Sequence, residues 1–163
     1  IDTAEDAAEF VSCLRYPPHG KRSYGPIRAK FFPEDSYTSV ANESILAFAM
    51  LETERAVANM GSIISTPGLD GIYVGPAVLS ISLYGGRHAP GIDREEDDLI
   101  AVFQGIAEAC GSAGKYSGIH CASSAYAARA ASWGFNMVTL SSDLRLLSGA
   151  AADSIARLRQ SMA

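Results

Sequence analysis

Residues 51–80 read LETERAVANMGSIISTPGLDGIYVGPAVLS, and their order of apolar and punctuating residues decides the fold. An apolar run, Ile45 to Leu51, leads in and ends on an acid, Glu52. Glu54 to Ile64 follows with helical spacing, with Val57, Met60, Ile63 and Ile64 turned inward. Pro67-Gly68 turns the chain. A second short apolar run, Gly71 to Val74, ends in Gly75-Pro76. This is strand, helix, strand. In parallel α/β folds, ligands bind outside the carboxyl ends of the strands. A site is therefore expected between Glu52 and the Gly75-Pro76-Ala77 turn.

The pattern repeats on either side. Thr3 to Leu14 reads as an amphipathic helix with Thr3 and Asp6 as a capping box. Tyr16-Pro17-Pro18-His19-Gly20 ends it. Lys21 to Glu43, with Phe31, Phe32, Pro33 and Tyr37, reads as a long connection holding a short helix. Ser44 to Leu51 is the first expected strand, apolar on both faces. After Gly75-Pro76 comes a glycine-rich loop, Tyr84 to Gly91. An acidic helix start, Asp93 to Asp98, opens a helix reaching about Ala113. Tyr116 to Cys121 and Phe135 to Leu140 are strands, separated by a helix over Ser124 to Trp133. A last helix begins near Asp143, which reads as its cap. It carries Leu144, Leu147, Ala151, Ile155, Leu158 and Met162 at spacings of three and four.

Regular βα alternation argues a parallel sheet. A (β/α)8 barrel needs about 250 residues, so four units behind a leading helix read as the C-terminal half of a TIM barrel, strands five to eight. An open doubly wound sheet is the other reading. All 163 residues read as one domain. The net charge of −5 and pI near 5.1 argue against a nucleic-acid or anionic-membrane surface. No apolar run is long enough to cross a bilayer. Three cysteines without a CxxC pair suggest reduced thiols and a cytoplasmic protein. GxGxxG and GxxxxGK[ST] are both absent from the sequence.

Five motifs occur in order: Arg15-Tyr16-Pro17-Pro18-x-Gly20-x-Arg22, Leu51-Glu52-Thr53, Gly68-Leu69-Asp70-Gly71-Ile72-Tyr73-Val74-Gly75-Pro76-Ala77, Gly118-Ile119-His120-Cys121, and Ser142-Asp143-x-Arg145-Leu146-Leu147. Together they resemble the HpcH/HpaI aldolase family, the metal-dependent pyruvate aldolases related to the citrate lyase β-subunit fold. The resemblance implies a (β/α)8 barrel, a homo-oligomer, and reversible aldol cleavage of a 4-hydroxy-2-oxo acid to pyruvate and an aldehyde. It implies a divalent metal (Mg, Mn or Co) held by two acids. Glu52 matches the first. The second falls on Val78, where the family pattern Gly-Pro-Ala-Asp-Leu-Ser has its acid. Met50 stands where the family has glutamine. Met50, Gly75, Pro76 and Ala77 match substrate-binding positions. The family's catalytic His and Arg match no position here and are expected upstream of residue 1.

Two further readings stay open. One is a non-catalytic or altered member in which Val78 has removed a metal ligand. The other is a phosphate-binding barrel using the serine-rich turns Ser123-Ser124 and Ser141-Ser142. His120 and Cys121 read as packing residues at the end of a buried strand, and Tyr126 with Trp133 as core. Lys115 precedes its strand, at the wrong end for Schiff-base chemistry.

Overall fold

A computed structural model describes the chain except residues 26, 27, 32–36, 88 and 163 and the side chain of Lys30. Phe32, Pro33 and His88 thus lie outside the described residues. The first helix, α1 (Ala4–Leu14), starts on the expected capping box. Thr3 Oγ1 accepts from Asp6 N–H at 3.2 Å, and Asp6 Oδ2 accepts from Thr3 N–H at 3.0 Å. Ala7 and Val11 are its buried face. The chain then leaves through Arg15, whose guanidinium donates to Ile45 O at 2.8 Å and Gly68 O at 3.2 Å and pairs with Asp70 at 3.3 Å. Asp70 in turn accepts from Ala47 N–H at 2.6 Å. This cluster pins the segments that lead into the first two strands.

A 3₁₀ turn (Ala29–Phe31) and α2 (Tyr37–Ser44) fill the long connection. The helix takes Ser44, so the first strand starts later than expected: β1 is Phe48–Leu51. Ser44 Oγ donates to Val40 O and Ile45 N–H to Ala41 O, which keeps the helical path through residue 45. The next helix is broken in two, α3 (Glu54–Ala58) and α4 (Met60–Ile64). The break is at Asn59, whose side chain donates to Asp2 O at 2.9 Å. Then come β2 (Gly71–Val74), α5 (Pro76–Tyr84), α6 (Asp97–Ser112), β3 (Tyr116–Cys121), α7 (Ser124–Ser132), β4 (Met137–Leu140) and α8 (Asp143–Ser161).

The four strands are all parallel and lie in the order β1-β2-β3-β4. Each neighbour is the next strand in the chain, with no reversal of winding. A doubly wound sheet reverses at a switch point, so this is the wall of a (β/α) barrel. One sheet face carries Ala49, Leu51, Ile72, Val74, Ile119 and Cys121, all fully buried. They pack with Ile63 and Ile64 of α4, Leu79 of α5, Phe103, Ile106 and Cys110 of α6, and Ala127 and Ala130 of α7 in one core. Tyr126 and Trp133 join that core edge to face at 5.5 Å between centroids. The opposite face carries Phe48, Met50, Tyr73, Tyr116, His120, Met137 and Thr139. Met50 and Tyr116 remain 42% and 55% exposed there, because among the described residues no helix covers this side.

Three boundaries shift for identifiable reasons. Residues 76–84 form α5, between the expected strand and loop, with Pro76 at its first position and Gly85 in the left-handed conformation at its end. α6 starts at Asp97, because Asp93 is engaged elsewhere. The last helix is capped by Ser142, whose Oγ accepts from Arg145 N–H at 3.3 Å, so Asp143 is a first-turn residue and not the cap. Lys115 Nζ donates to Leu69 O at 2.7 Å, at the amino end of the sheet, as its position before the strand requires.

Candidate active site

A pocket of about 400 Å³ opens at the carboxyl ends of β1, β2 and β3. Met50, Glu52, Tyr73, Gly75, Pro76, Ala77, Val78, Ile92 and His120 line it. Every residue singled out in the sequence for substrate or metal is therefore in one place. Glu52 follows directly on β1. Thr53 then caps α3, its Oγ1 accepting from Ala56 N–H at 3.0 Å, so the chain turns away and leaves the Glu52 carboxylate at the mouth. That carboxylate lies against the backbone of Gly75. A Cβ at 75 would stand 3.0 Å from Glu52 Cγ and Cδ and closer still to Oε1. Glycine is needed at 75 for this approach, not for its turn angle, since its φ is −100°.

The N-terminus of α5 faces the same space. Pro76 has no N–H, and the first intrahelical bond runs from Leu79 N–H to Gly75 O at 3.1 Å. Among the described residues no acceptor meets the N–H groups of Ala77 and Val78. Such a helix start favours an anion.

Val78 is 47% exposed and puts an isopropyl group on the pocket wall, where the family pattern has a carboxylate. A hard divalent cation wants several oxygen ligands. Among the lining residues only Glu52 offers a carboxylate, and among the described residues no three His, Cys, Asp or Glu side chains converge. The lining does not fit a two-carboxylate cation centre.

Two residues exceed what sequence reasoning assigned. His120 is hydrogen-bonded, as a packing residue should be: Nδ1 lies 2.7 Å from Thr139 Oγ1 and 3.2 Å from Tyr73 OH. It is also half-exposed and lines the pocket. The alternation of β3 carried this signal, since His120 falls on the opposite face from Ile119 and Cys121. Asp93, read as the start of a helix, instead crosses to the β3–α7 turn. Its carboxylate accepts from Ala122 N–H at 2.7 Å and Ser123 Oγ–H at 2.6 Å. Arg94, 9% exposed, pairs with Glu96 and donates to Ala89 O, while its own carbonyl accepts from Tyr126 OH at 2.6 Å. These contacts fix the loop that brings Ile92 over the pocket. They also fill the start of α7 with a carboxylate, which removes Ser123-Ser124 as a phosphate cradle.

A second cleft, about 500 Å³, lies at the amino end of the sheet by Arg15, His19, Asn42 and Gly68. Two of its polar groups are already engaged: Arg15 as above, and Asn42 on the backbone of Tyr16, accepting from its N–H at 2.7 Å and donating to its carbonyl at 3.2 Å. The pocket at the carboxyl ends instead brings a carboxylate, a helix start and an imidazole together.

A (β/α) barrel wall with a carboxylate, a helix start and an imidazole at its carboxyl ends defines a barrel enzyme's site region. The sequence profile described as HpcH/HpaI aldolase/citrate lyase matches residues 1–150. The chain belongs to that family. It is 37% identical over 159 residues to a hydroxypyruvate/pyruvate aldolase of Rhizorhabdus wittichii, covering 98% of this chain and 62% of that protein. It is 35% identical over 155 residues to a 2-keto-3-deoxy-L-rhamnonate aldolase of Salmonella schwarzengrund, covering 90% and 54%. Among solved structures, an HpcH/HpaI aldolase/citrate lyase family protein from Burkholderia cenocepacia superposes with a TM-score of 0.82 at 29% identity, over 98% of this chain and 62% of that one. The chain thus spans between about half and three fifths of the relatives it matches. Among the described residues no helix is long and apolar enough to cross a membrane.

Proposed function

We propose that this chain forms part of a carbon–carbon lyase that cleaves a 4-hydroxy-2-oxo acid to pyruvate and an aldehyde. The observation that carries the reading is the Glu52 carboxylate seated on Gly75 beside the free N–H groups of α5. The pocket's groups suit a 2-oxo acid. Its carboxylate meets Ala77 and Val78 N–H, with the helix dipole behind them. Pro76 and Ala77 hold that helix start in place. Met50, Val78 and Ile92 supply apolar walls beside the reacting carbons. In the reaction the C3–C4 bond breaks and its electrons enter the 2-oxo group. The 4-hydroxyl loses its proton as the aldehyde forms, and C3 of the pyruvate enolate then takes up a proton. Donors aimed at the enolate oxygen lower that barrier.

A divalent cation (Mg²⁺, Mn²⁺ or Co²⁺) meets one protein carboxylate here, Glu52. With Val78 in the second position no step is assigned to it. We place the protein in the cytoplasm, where its free thiols stay reduced, and as a homo-oligomer.

Pyruvate itself provides the test. Its methyl hydrogens exchange with deuterium through the same enolate. Exchange above the buffer rate, followed by proton NMR, is the expected result. An absence of exchange, with or without added Mn²⁺, counts against the lyase and leaves the altered, non-catalytic reading.

A further inference from the structure

Tyr73 on β2, His120 on β3 and Thr139 on β4 project from one face of the sheet and meet beside the pocket that Tyr73 and His120 line. Their polar atoms form a triangle: Tyr73 OH to His120 Nδ1 3.2 Å, Tyr73 OH to Thr139 Oγ1 3.2 Å, and Thr139 Oγ1 to Nδ1 2.7 Å. Tyr73 pairs across the sheet with Gly118. A Cβ at 118 would stand 2.9 Å from Tyr73 Cδ2. The missing side chain lets the phenol ring pass over β3 and reach Thr139 on the far strand.

Proton counting within the triangle favours one tautomer of the imidazole. Among the described residues the two hydroxyls and Nδ1 have no other side-chain partners. If Nδ1 carried the hydrogen, it would donate to one hydroxyl, that hydroxyl to the other, and the last hydroxyl proton would find no acceptor within the triangle. If Nδ1 accepts, one hydroxyl donates to it and the other donates to the first. Every proton and the Nδ1 lone pair are then used. In that arrangement the hydrogen sits on Nε2, the nitrogen the triangle leaves free, on a ring that lines the pocket with Glu52 and the start of α5.

We propose that His120 is a substrate-binding residue whose Nε2–H donates to the 2-oxo oxygen of the bound acid, while Thr139 and Tyr73 hold the ring through Nδ1. The proposal rests on the 2-oxo acid reading above and names the group that recognises the keto oxygen. It gives a role to a polar network that borders the pocket opposite the apolar Val78 side chain. The donor that the triangle sets free meets an oxygen of the ligand.

Two substitutions separate this role from a structural one. The Gln carboxamide nitrogen reaches the place of Nε2, and the Asn carboxamide only that of Nδ1. Pyruvate affinity, measured by calorimetry on the whole protein, is expected to stay within about threefold in His120→Gln and to fall roughly 10- to 100-fold in His120→Asn, the loss of one hydrogen bond to a charged ligand. In the unsubstituted protein, pyruvate is expected to move the ¹⁵N resonance of His120 Nε2 and leave Nδ1 nearly in place. Retained affinity in the Asn variant, or an unmoved Nε2 resonance on binding, overturns the proposal and leaves the 2-oxo acid reading standing. A protein that binds no pyruvate at all overturns both.

Discussion

Replacing Gly75 with alanine adds one methyl group where the Glu52 carboxylate rests. The new Cβ would lie 3.0 Å from Cγ and Cδ of Glu52. Carbon atoms pack at about 3.5 Å or more, so the side chain must retreat by at least about 0.5 Å, and its nearer oxygen by more. The backbone does not resist the change, since φ is −100° and ψ 90° at residue 75. Glu52 is only half-buried, and it moves by rotating. Alanine also lowers the entropy of the unfolded chain by about 0.4–1 kcal/mol, which offsets the cost of that rotation. The net change in stability is therefore within about 1 kcal/mol, or about 4 °C in melting temperature. Function responds differently. A misplacement near 1 Å costs about 100-fold in a positioned site, so pyruvate exchange should fall by that order. Calorimetry and proton NMR on the same preparation measure both quantities. A melting temperature lowered by more than about 8 °C refutes the claim that Glu52 yields freely. Exchange that stays at the unsubstituted rate refutes the claim that its position matters.

Three further outcomes follow from the same structure. Val78→Asp restores the second acid on the pocket wall and should raise Mn²⁺ affinity by at least about tenfold, read by electron paramagnetic resonance; tight metal binding by the protein as it stands would show that Val78 costs nothing. A thiol reagent at pH 7 should label exposed Cys13 first. Burial pushes the Cys110 and Cys121 thiols up to about 11, leaving thiolate fractions of about one in ten thousand, so these two should react only on unfolding. α8 has no buried residue, and Leu144, Leu147, Leu158 and Met162 are each at least 60% exposed. With the uncovered sheet face, this predicts self-association on size-exclusion chromatography; a monomer at micromolar concentration contradicts it.

The strands were legible where flanking punctuation was strong. Gly71–Val74 lies between Pro67-Gly68 and Gly75-Pro76, and Tyr116–Cys121 follows Gly114-Lys115, and both spans emerge as expected. The first helix was legible through its capping box. α5 was not, because its apolar residues Ala77, Val78, Leu79, Ile81 and Leu83 spread around the whole helix and leave no stripe to detect. The break at Asn59 depends on Asp2, and the late start of α6 on Asp93 reaching Ala122 and Ser123. Both are partners distant in sequence, which no local pattern records. At the site, Glu52 and Gly75 were readable as neighbours from their strand ends. The Tyr73–His120–Thr139 triangle was not, since it needs three strands in register and a glycine at 118 to let the phenol across.

The central claim is that Glu52, on Gly75 at the mouth of this pocket, serves a 2-oxo acid lyase. Pyruvate release from a 4-hydroxy-2-oxo acid, comparing the unsubstituted protein with Glu52→Gln, tests it most directly. Release by the former and a loss of at least about 100-fold in the latter are expected. Equal release by both, or none by either with Mg²⁺, Mn²⁺ or Co²⁺ supplied, would contradict it.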